Sequence, residues 1–379
     1  MTNKDPKLLN GIRVIEMASY ISGPLAGSLL CELGAEVIKL EHPPTGDPFR
    51  GWGSAESPRA SFMAYNTNKA SVCVDWVEER SWFDNLLRSS DILLSNFRPA
   101  TQIKLGLTFD HLKKINPKLV VCNITGFGQN GELAERPCYD AVAQAVSGLM
   151  SQLTDLDNPQ CIGPPLSDSV AGLYSAIGIL AALVERQQTG LGRAVDVSMV
   201  GSSLSLIRNA VGSELLENAP SGKRTRAMSS QSYAFVGSDG KVFVVHLSTP
   251  QKFWLALLDT VERPELAVLD NYKDKKGRIK HYDSLQKELQ AEFSKATREE
   301  WLRRLTEHDV PCGPVLSPAE AATNPVIFKE VGTDPAAQFE LSKRSWLDGL
   351  DSGTLSTAPS IGADNERFGL ARLNTTSTR

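Results

Sequence analysis

The chain has 379 residues, 41% of them apolar and 22% charged, with a formal net charge of −4. That length exceeds one hydrophobic core and points to two domains. The charge excludes a general pull toward nucleic acid, although a local basic patch could still meet phosphates, and no uninterrupted apolar run approaches ~18 residues, so no membrane span is expected.

Met1-Thr2-Asn3-Lys4-Asp5-Pro6 carries no apolar leader, so the protein reads as cytoplasmic. Gly11 to Met17 reads as a strand, Gly23-Pro24 opens a helix that Gly34 ends, and Glu36 to Glu41 is the next strand. Strand, helix and strand within about 30 residues make a parallel βαβ unit. Its first turn, Ser22-Gly23-Pro24-Leu25-Ala26-Gly27, lacks the G-x-G-x-x-G fingerprint, which speaks against a nicotinamide cofactor. The alternation continues through a strand at Ser71–Asp75, a helix at Trp82–Leu87 and a strand at Asp91–Ser95. Next come a helix with Thr108 as its expected cap and a strand at Leu119–Ile124. Several strands run into polar or Gly-rich turns, and in an open parallel sheet those carboxyl ends form the ligand crevice.

Arg136 to Met150 reads as a helix leading toward the next stretch, Pro164 to Ala176. There the apolar residues Val170, Leu173, Tyr174, Ile177, Leu180, Ala181 and Val184 fall on one helical stripe, which reads as the face packed on a core. The two prolines set its start, and Ser167, Asp168 and Ser169 are all good N-cap types. Taken alone, Asp168 is a cap; the sharper reading is a catalytic carboxylate. Gly190 and Gly192 stop the helix before a strand at Ala194–Met199. A polar linker, Glu217 to Arg226, marks a domain boundary. A β-hairpin with an Asp239-Gly240 turn follows, and the charge run Lys273 to Arg278 reads as a solvated loop. Six cysteines without a C-x-x-C pair read as reduced thiols. Five histidines show no metal spacing, so no metal site is expected. No Ser-His or Cys-His constellation competes with Asp168.

Leu166-Ser167-Asp168, Gly172 to Ala176 and Thr189-Gly190-Leu191-Gly192 together resemble the nucleophile segment of the family III (CaiB/BaiF) CoA-transferases. In that family this aspartate forms the covalent intermediate. Gly11–Glu16, Leu33–Glu41, Gly46-Asp47-Pro48, Arg50-Gly51-Trp52, Asn66–Lys69, Arg136–Met150 and Asp309–Ser317 are similar to other family segments, in the right order. The resemblance runs from about Leu9 to Gly369.

The resemblance implies a doubly wound, Rossmann-like α/β large domain with a smaller α/β domain inserted, in an interlocked homodimer. The expected boundaries are 1–220 and 326–379 for the large domain and 225–325 for the small one. It implies transfer of CoA from an acyl-CoA thioester to a free carboxylic acid through Asp168, with CoA thioesters as substrates and no tightly bound cofactor. Carried over by position, the CoA side takes Ile21, His42, Val74, Asp75, Asn96, Phe97, Arg98, Lys104 and Tyr139. The acid side takes Tyr139, Asp140, Gln231 and His246. Formyl-CoA:oxalate members carry a Gln at the position of Ile21, an Arg at that of His42, and a glycine-rich loop where this chain has Met228 to Tyr233. These departures weigh against oxalate and against loop gating. The racemases of the same fold open the Arg136–Met150 helix with His-Asp. Here the pair is Tyr139-Asp140, and an ordinary tyrosine ionises near ~10, poorly matched to proton abstraction at neutral pH. Transfer is favoured over racemisation or isomerisation, and over a non-catalytic CoA-binding role. The residues around Tyr139 and Ser147 are closer to glutarate-type members, which points to a dicarboxylate substrate.

Overall fold

The computed structural model describes residues 8–52, 60–249, 251–326 and 358–371. The first residues of the chain and most of the expected return to the large domain before residue 358 lie outside them. The described residues divide into two compact units, one of 8–151, 158–211 and 358–371, the other of 152–157 and 212–326.

The first unit holds six parallel strands: β1 (Arg13–Met17), β2 (Glu36–Glu41), β3 (Ala70–Cys73), β4 (Ile92–Ser95), β5 (Val120–Thr125) and β6 (Ala194–Ser198). Their order is β3-β2-β1-β4-β5-β6, the doubly wound order, with its crevice at the carboxyl ends of the paired strands β1 and β4, whose connections leave in opposite directions. Alternate strand residues feed opposite faces. Val14, Ile92, Leu94, Val120 and Cys122 pack under α1 (Ser22–Glu32). Ile15, Leu93 and Val121 pack with residues of α3 (Arg80–Arg88) and α5 (Phe109–Ile115). Covered on both faces, the central strands are buried nearly throughout rather than on alternate residues, their polar members Glu16, Lys39 and Asn123 included. Between these elements lie α2 (Ala60–Asn66) and α4 (Pro99–Leu105).

The expected helix at 136–150 is shorter, α6 (Asp140–Val146), because Pro137 cannot continue it backward. Beyond it α7 runs from Leu166 to Thr189, ending at Gly190 in the left-handed region with φ 72°. Its composition would allow it to cross a membrane, a property hidden from a count of uninterrupted apolar residues by its interspersed Ser, Gly and Ala. It packs instead against α1, β5 and β6, and not mainly through the stripe expected to face the core. Val170, Ala171, Ile179, Ala182 and Leu183 are buried, while Leu173, Ile177, Ala181 and Val184 are exposed, because Gly172, Ser175 and Ala176 make the smaller face the one that fits against α1 and the sheet. Thr108 does precede α5, but its hydroxyl makes no capping bond. After β6 come α8 (Met199–Leu206) and α9 (Arg208–Leu216).

The carboxyl-terminal segment lies along β3. Ser71 N–H donates to Asp364 Oδ2 at 2.9 Å, Cys73 N–H to Asn365 Oδ1 at 2.9 Å, and Asn365 Nδ2 to the Cys73 carbonyl at 2.9 Å. Trp82 Nε1 donates to the Phe368 carbonyl at 2.8 Å.

In the second unit, α10 (Thr225–Ser230) replaces the expected linker end and leads into an antiparallel sheet of β7 (Ser232–Val236), β8 (Val242–His246) and β9 (Cys312–Pro314). Gly240 takes the positive φ of the hairpin turn, 72°. The sheet packs on α11 (Lys252–Thr260), α13 (Tyr282–Phe293) and α14 (Arg298–Glu307). The charge run is not a solvated loop. Asp274 caps α12 (Lys275–Lys280) through Gly277 N–H at 2.7 Å. Arg278 is fully buried, bonded to Gln231 Oε1 at 3.0 Å and stacked on Trp254.

Candidate active site

The site forms at the carboxyl ends of β1 and β4, where Ala18–Ile21 turn the chain into α1. Ser19 N–H donates to Asn96 Oδ1 at 3.0 Å, and Asn96 Nδ2 returns a bond to the Ser19 carbonyl at 2.8 Å. Tyr20 adopts φ +65°, a left-handed backbone that costs a bulky residue energy. Its N–H donates to Asp47 Oδ1 at 3.2 Å.

A buried charge cluster holds this turn from behind. Glu16 accepts from Lys39 Nζ at 3.0 Å and from Lys69 Nζ at 2.6 Å. Lys39 also donates to the Ala18 carbonyl at 2.8 Å and pairs with Asp47 at 2.9 Å, while Lys69 reaches the Pro24 carbonyl at 2.8 Å. Burial by itself would raise the Glu16 carboxyl; the charges of Lys69 and Lys39 outweigh it and hold the group below its ordinary range. Burial draws the Lys69 ammonium down to about 8 against the opposing pull of Glu16.

Asp168 stands in the first turn of α7, inside the helix, and makes no cap bond. The cap comes from another element. Asp140, at the start of α6, accepts from Ser167 N–H at 2.8 Å and Asp168 N–H at 3.2 Å through Oδ1. Its Oδ2 accepts from Gln144 Nε2 at 2.6 Å. Two N–H groups that would steady an anion at this helix start are thus bonded to Asp140. Burial, and then the charge of Asp140, push the Asp168 carboxyl up to about 7. Gly172, one turn on, lies against α1 so closely that a Cβ there would meet the Ser22 carbonyl at 2.8 Å.

One cavity of ≈ 830 Å³ brings together Ile21, Asn96, Phe97, Arg98, Tyr139, Asp140 and Asp168. The other expected residues lie elsewhere. His42 pairs with Asp75 at 3.3 Å beside buried Val74, a separate group beyond the ends of β2 and β3. Lys104 sits in the last turn of α4, outside the cavity lining. Gln231, expected at the substrate, is fully buried in the second unit, where it closes α10 and holds Arg278. His246 lies in that unit too. Its Nδ1 meets Ser232 Oγ at 2.7 Å and its Nε2 meets Ser248 Oγ. That is a Ser–His contact absent from the sequence reading, created by the hairpin register that sets Ser232 opposite His246. The imidazole's second nitrogen faces a hydroxyl, not the carboxylate of a catalytic triad.

The cavity is also lined by residues not foreseen as site residues: Tyr20, Phe49, Trp52, Arg136 and Cys138. Arg136 and Trp52 stand within the family-like segments and could have been taken from them. Tyr20 could not, because nothing in its neighbours announces a left-handed backbone.

The site is thus a crevice at the carboxyl edge of a doubly wound α/β sheet, the usual ligand place of that class, lined by a half-buried acid, Asp168, and by Arg98 and Arg136. The chain belongs to the CoA-transferase family III, whose model matches residues 9–365. It is 33% identical over 322 residues to the acetyl-CoA:oxalate CoA-transferase of Acetobacter aceti, covering 83% of this chain and 82% of that one. It is 36% identical over 337 residues to the succinyl-CoA–L-malate CoA-transferase alpha subunit of Chloroflexus aurantiacus, covering 84% and 76%. A crystal structure of a CaiB/BaiF family protein from Brucella suis superposes with a TM-score of 0.79 at 29% identity, covering 95% of this chain and 98% of that one. The protein is a transferase acting on CoA thioesters.

Proposed function

We propose that the protein moves CoA between two carboxylic acids through a covalent intermediate on Asp168. The observation that carries this reading is the Asp168 carboxylate itself, poised in the cavity while a second acid, Asp140, does the capping that would otherwise explain it. An Asp168 oxygen attacks the donor thioester carbon. The C–S bond breaks, leaving CoA thiolate and a mixed anhydride. The thiolate attacks the aspartyl carbonyl, which releases the donor acid and gives an aspartyl-CoA thioester. An acceptor carboxylate attacks that thioester, expels the thiolate and forms a second anhydride. The thiolate then takes the acceptor acyl group, and Asp168 regains its carboxylate. Holding the carboxylate beside the thioester supplies an effective molarity of roughly 10⁵–10⁸ M, and the covalent relay splits one hard exchange into easier ones.

One of the acids is a dicarboxylate, as the names of both relatives suggest for their own reactions. Arg98 and Arg136 line the cavity, Arg98 also donating from Nη1 to the Glu135 carbonyl at 3.2 Å. They offer a second carboxylate, or the phosphates of CoA, charge-assisted bonds. The working unit is an interlocked homodimer, supported by the apolar side chains Leu173, Ile177, Val184 and Leu204 that α7 and α8 leave exposed. The reaction is cytoplasmic, in keeping with six cysteines none of which forms a disulfide.

The test is Asp168→Asn together with hydroxylamine trapping. The variant keeps the side-chain shape and should stay folded, while transfer falls by orders of magnitude. In the wild type, acyl-CoA followed by hydroxylamine should place the label on the 164–176 peptide. A folded variant that transfers CoA at the wild-type rate, with no label on that wild-type peptide, would overturn the mechanism.

A further inference from the structure

The cavity wall beside Asp168 is built of aromatic rings gathered around Tyr20. The Tyr20 ring meets Phe49 at 6.0 Å, Trp52 at 6.0 Å and Tyr139 at 5.9 Å, the last two edge-on. Such contacts are the favourable geometry of ring pairs. Tyr20 is held there by its backbone. The φ of +65° turns the residue out of the ordinary path from β1 to α1. Asp47, anchored by buried Lys39, accepts the Tyr20 and Phe49 N–H groups through the same oxygen. Strain maintained by a buried ion cluster is found where a side chain has a task. Trp52 and Tyr139 are exposed, at 59% and 64%, so the wall has open ring surface left to cover.

The wall stands at the reacting end of the cavity. Tyr139 immediately precedes Asp140, which bonds the Asp168 backbone. On the other side Tyr65 packs against Phe49 and lies close enough to Asp168 to feel its charge. In coenzyme A the adenine is separated from the thioester by the whole pantetheine arm. Rings beside the attacking carboxylate therefore face the acyl part of the substrate and not the nucleotide.

We infer that Tyr20 is a specificity-determining residue, and that one of the two exchanged acids carries an aromatic ring or an apolar body of that size, seated against Tyr20, Trp52 and Tyr139. The inference rests on the reading of Asp168 as the acyl acceptor. It is compatible with a dicarboxylate partner, because the two acids occupy the cavity in turn.

The experiment compares phenylacetyl-CoA with acetyl-CoA at limiting concentration, trapping the activated Asp168 carbonyl with hydroxylamine as its hydroxamate, with loss of the donor acid or CoA, and quantifying the 164–176 peptide. Wild type is expected to favour the aryl substrate by about tenfold or more, the range that pocket shape supplies. Tyr20→Val should bring that ratio toward one whatever happens to the absolute yield, while Tyr20→Phe keeps it. Trp52→Ala, at an exposed position, tests the same wall if Tyr20→Val does not fold. Label on Asp168 with no aryl preference, or a preference that survives loss of the Tyr20 or Trp52 ring, overturns this inference and leaves the aspartyl mechanism standing. No label with either substrate overturns the mechanism and this inference with it.

Discussion

Asp140 and Asp168 show how two carboxylates acquire different roles from different surroundings. Asp140 takes the backbone donors at the start of α7 and a bond from Gln144; Asp168 gets burial and a neighbouring negative charge. With its carboxyl lifted from 3.8 to about 7, Asp168 is protonated below that pH and becomes a nucleophile above it. The kcat/KM of transfer should therefore rise from pH 5.5 to pH 8 with a midpoint near the raised value. Asp140→Asn removes the second cause and leaves the first, so the midpoint should move down without returning to the ordinary range. The linkage to stability has the opposite sign. The folded state binds the Asp168 proton more tightly than the unfolded chain, so stability is lost as pH climbs from about 4 to about 7. Asp168→Asn should then be more stable than wild type at pH 8, by up to about 4 kcal/mol, while being inactive; a lower melting temperature at that pH would contradict this. The sequence made Asp168 legible because an acid, two prolines and an apolar stripe adjoin. It hid the owner of the cap, because Asp140 is 28 residues away and meets α7 only through the fold.

The pairing of α1 with α7 carries the site between elements. Gly172 lets the two helices approach at the turn where Ser22 opens the cavity, and a Cβ would strike the Ser22 carbonyl. Gly172→Ala should push α7 away, cost about 1–3 kcal/mol in stability, and lower kcat more than it raises KM, because it shifts the nucleophile rather than removing a binding group. An unchanged kcat in a folded variant would show that the approach is dispensable. Short apolar strands bounded by turn residues were readable, as in β2 at Glu36–Glu41, which begins just after Gly34. What escaped were elements whose fate depends on a distant partner. The run at 273–278 looks solvated until Gln231 and Trp254 supply a seat for Arg278. The polar stretch ending at Arg226 looked like a linker, yet its end is the start of a short helix, Thr225–Ser230, that Gln231 closes with φ 52°.

For the whole molecule, the parallel sheet with two-sided cover followed from the alternation of strands and helices, since parallel strands need crossovers that lie on the sheet's faces; the order β3-β2-β1-β4-β5-β6 did not, because alternation alone does not say where each crossover returns. The exposed apolar positions on α7 and α8 make sense only when something covers them, and light scattering at micromolar concentration should give twice the mass of one chain. A stable monomer would remove the homodimer.

The segment at 358–371 has a further consequence. β3 is the end of the sheet, and the groups it would present to another strand are taken by the Asp364 side chain and backbone N–H and by the Asn365 side chain, which stand in for a seventh strand without being one. An uncovered edge is a template for adding strands from other molecules. Deleting residues 358–379 should leave the catalytic crevice sequence intact yet make the protein stick to itself, seen as rising turbidity and thioflavin fluorescence on mild warming. The carboxyl terminus would then act as a guard against fibre growth, and its loss would be a defect of solubility before it was one of catalysis.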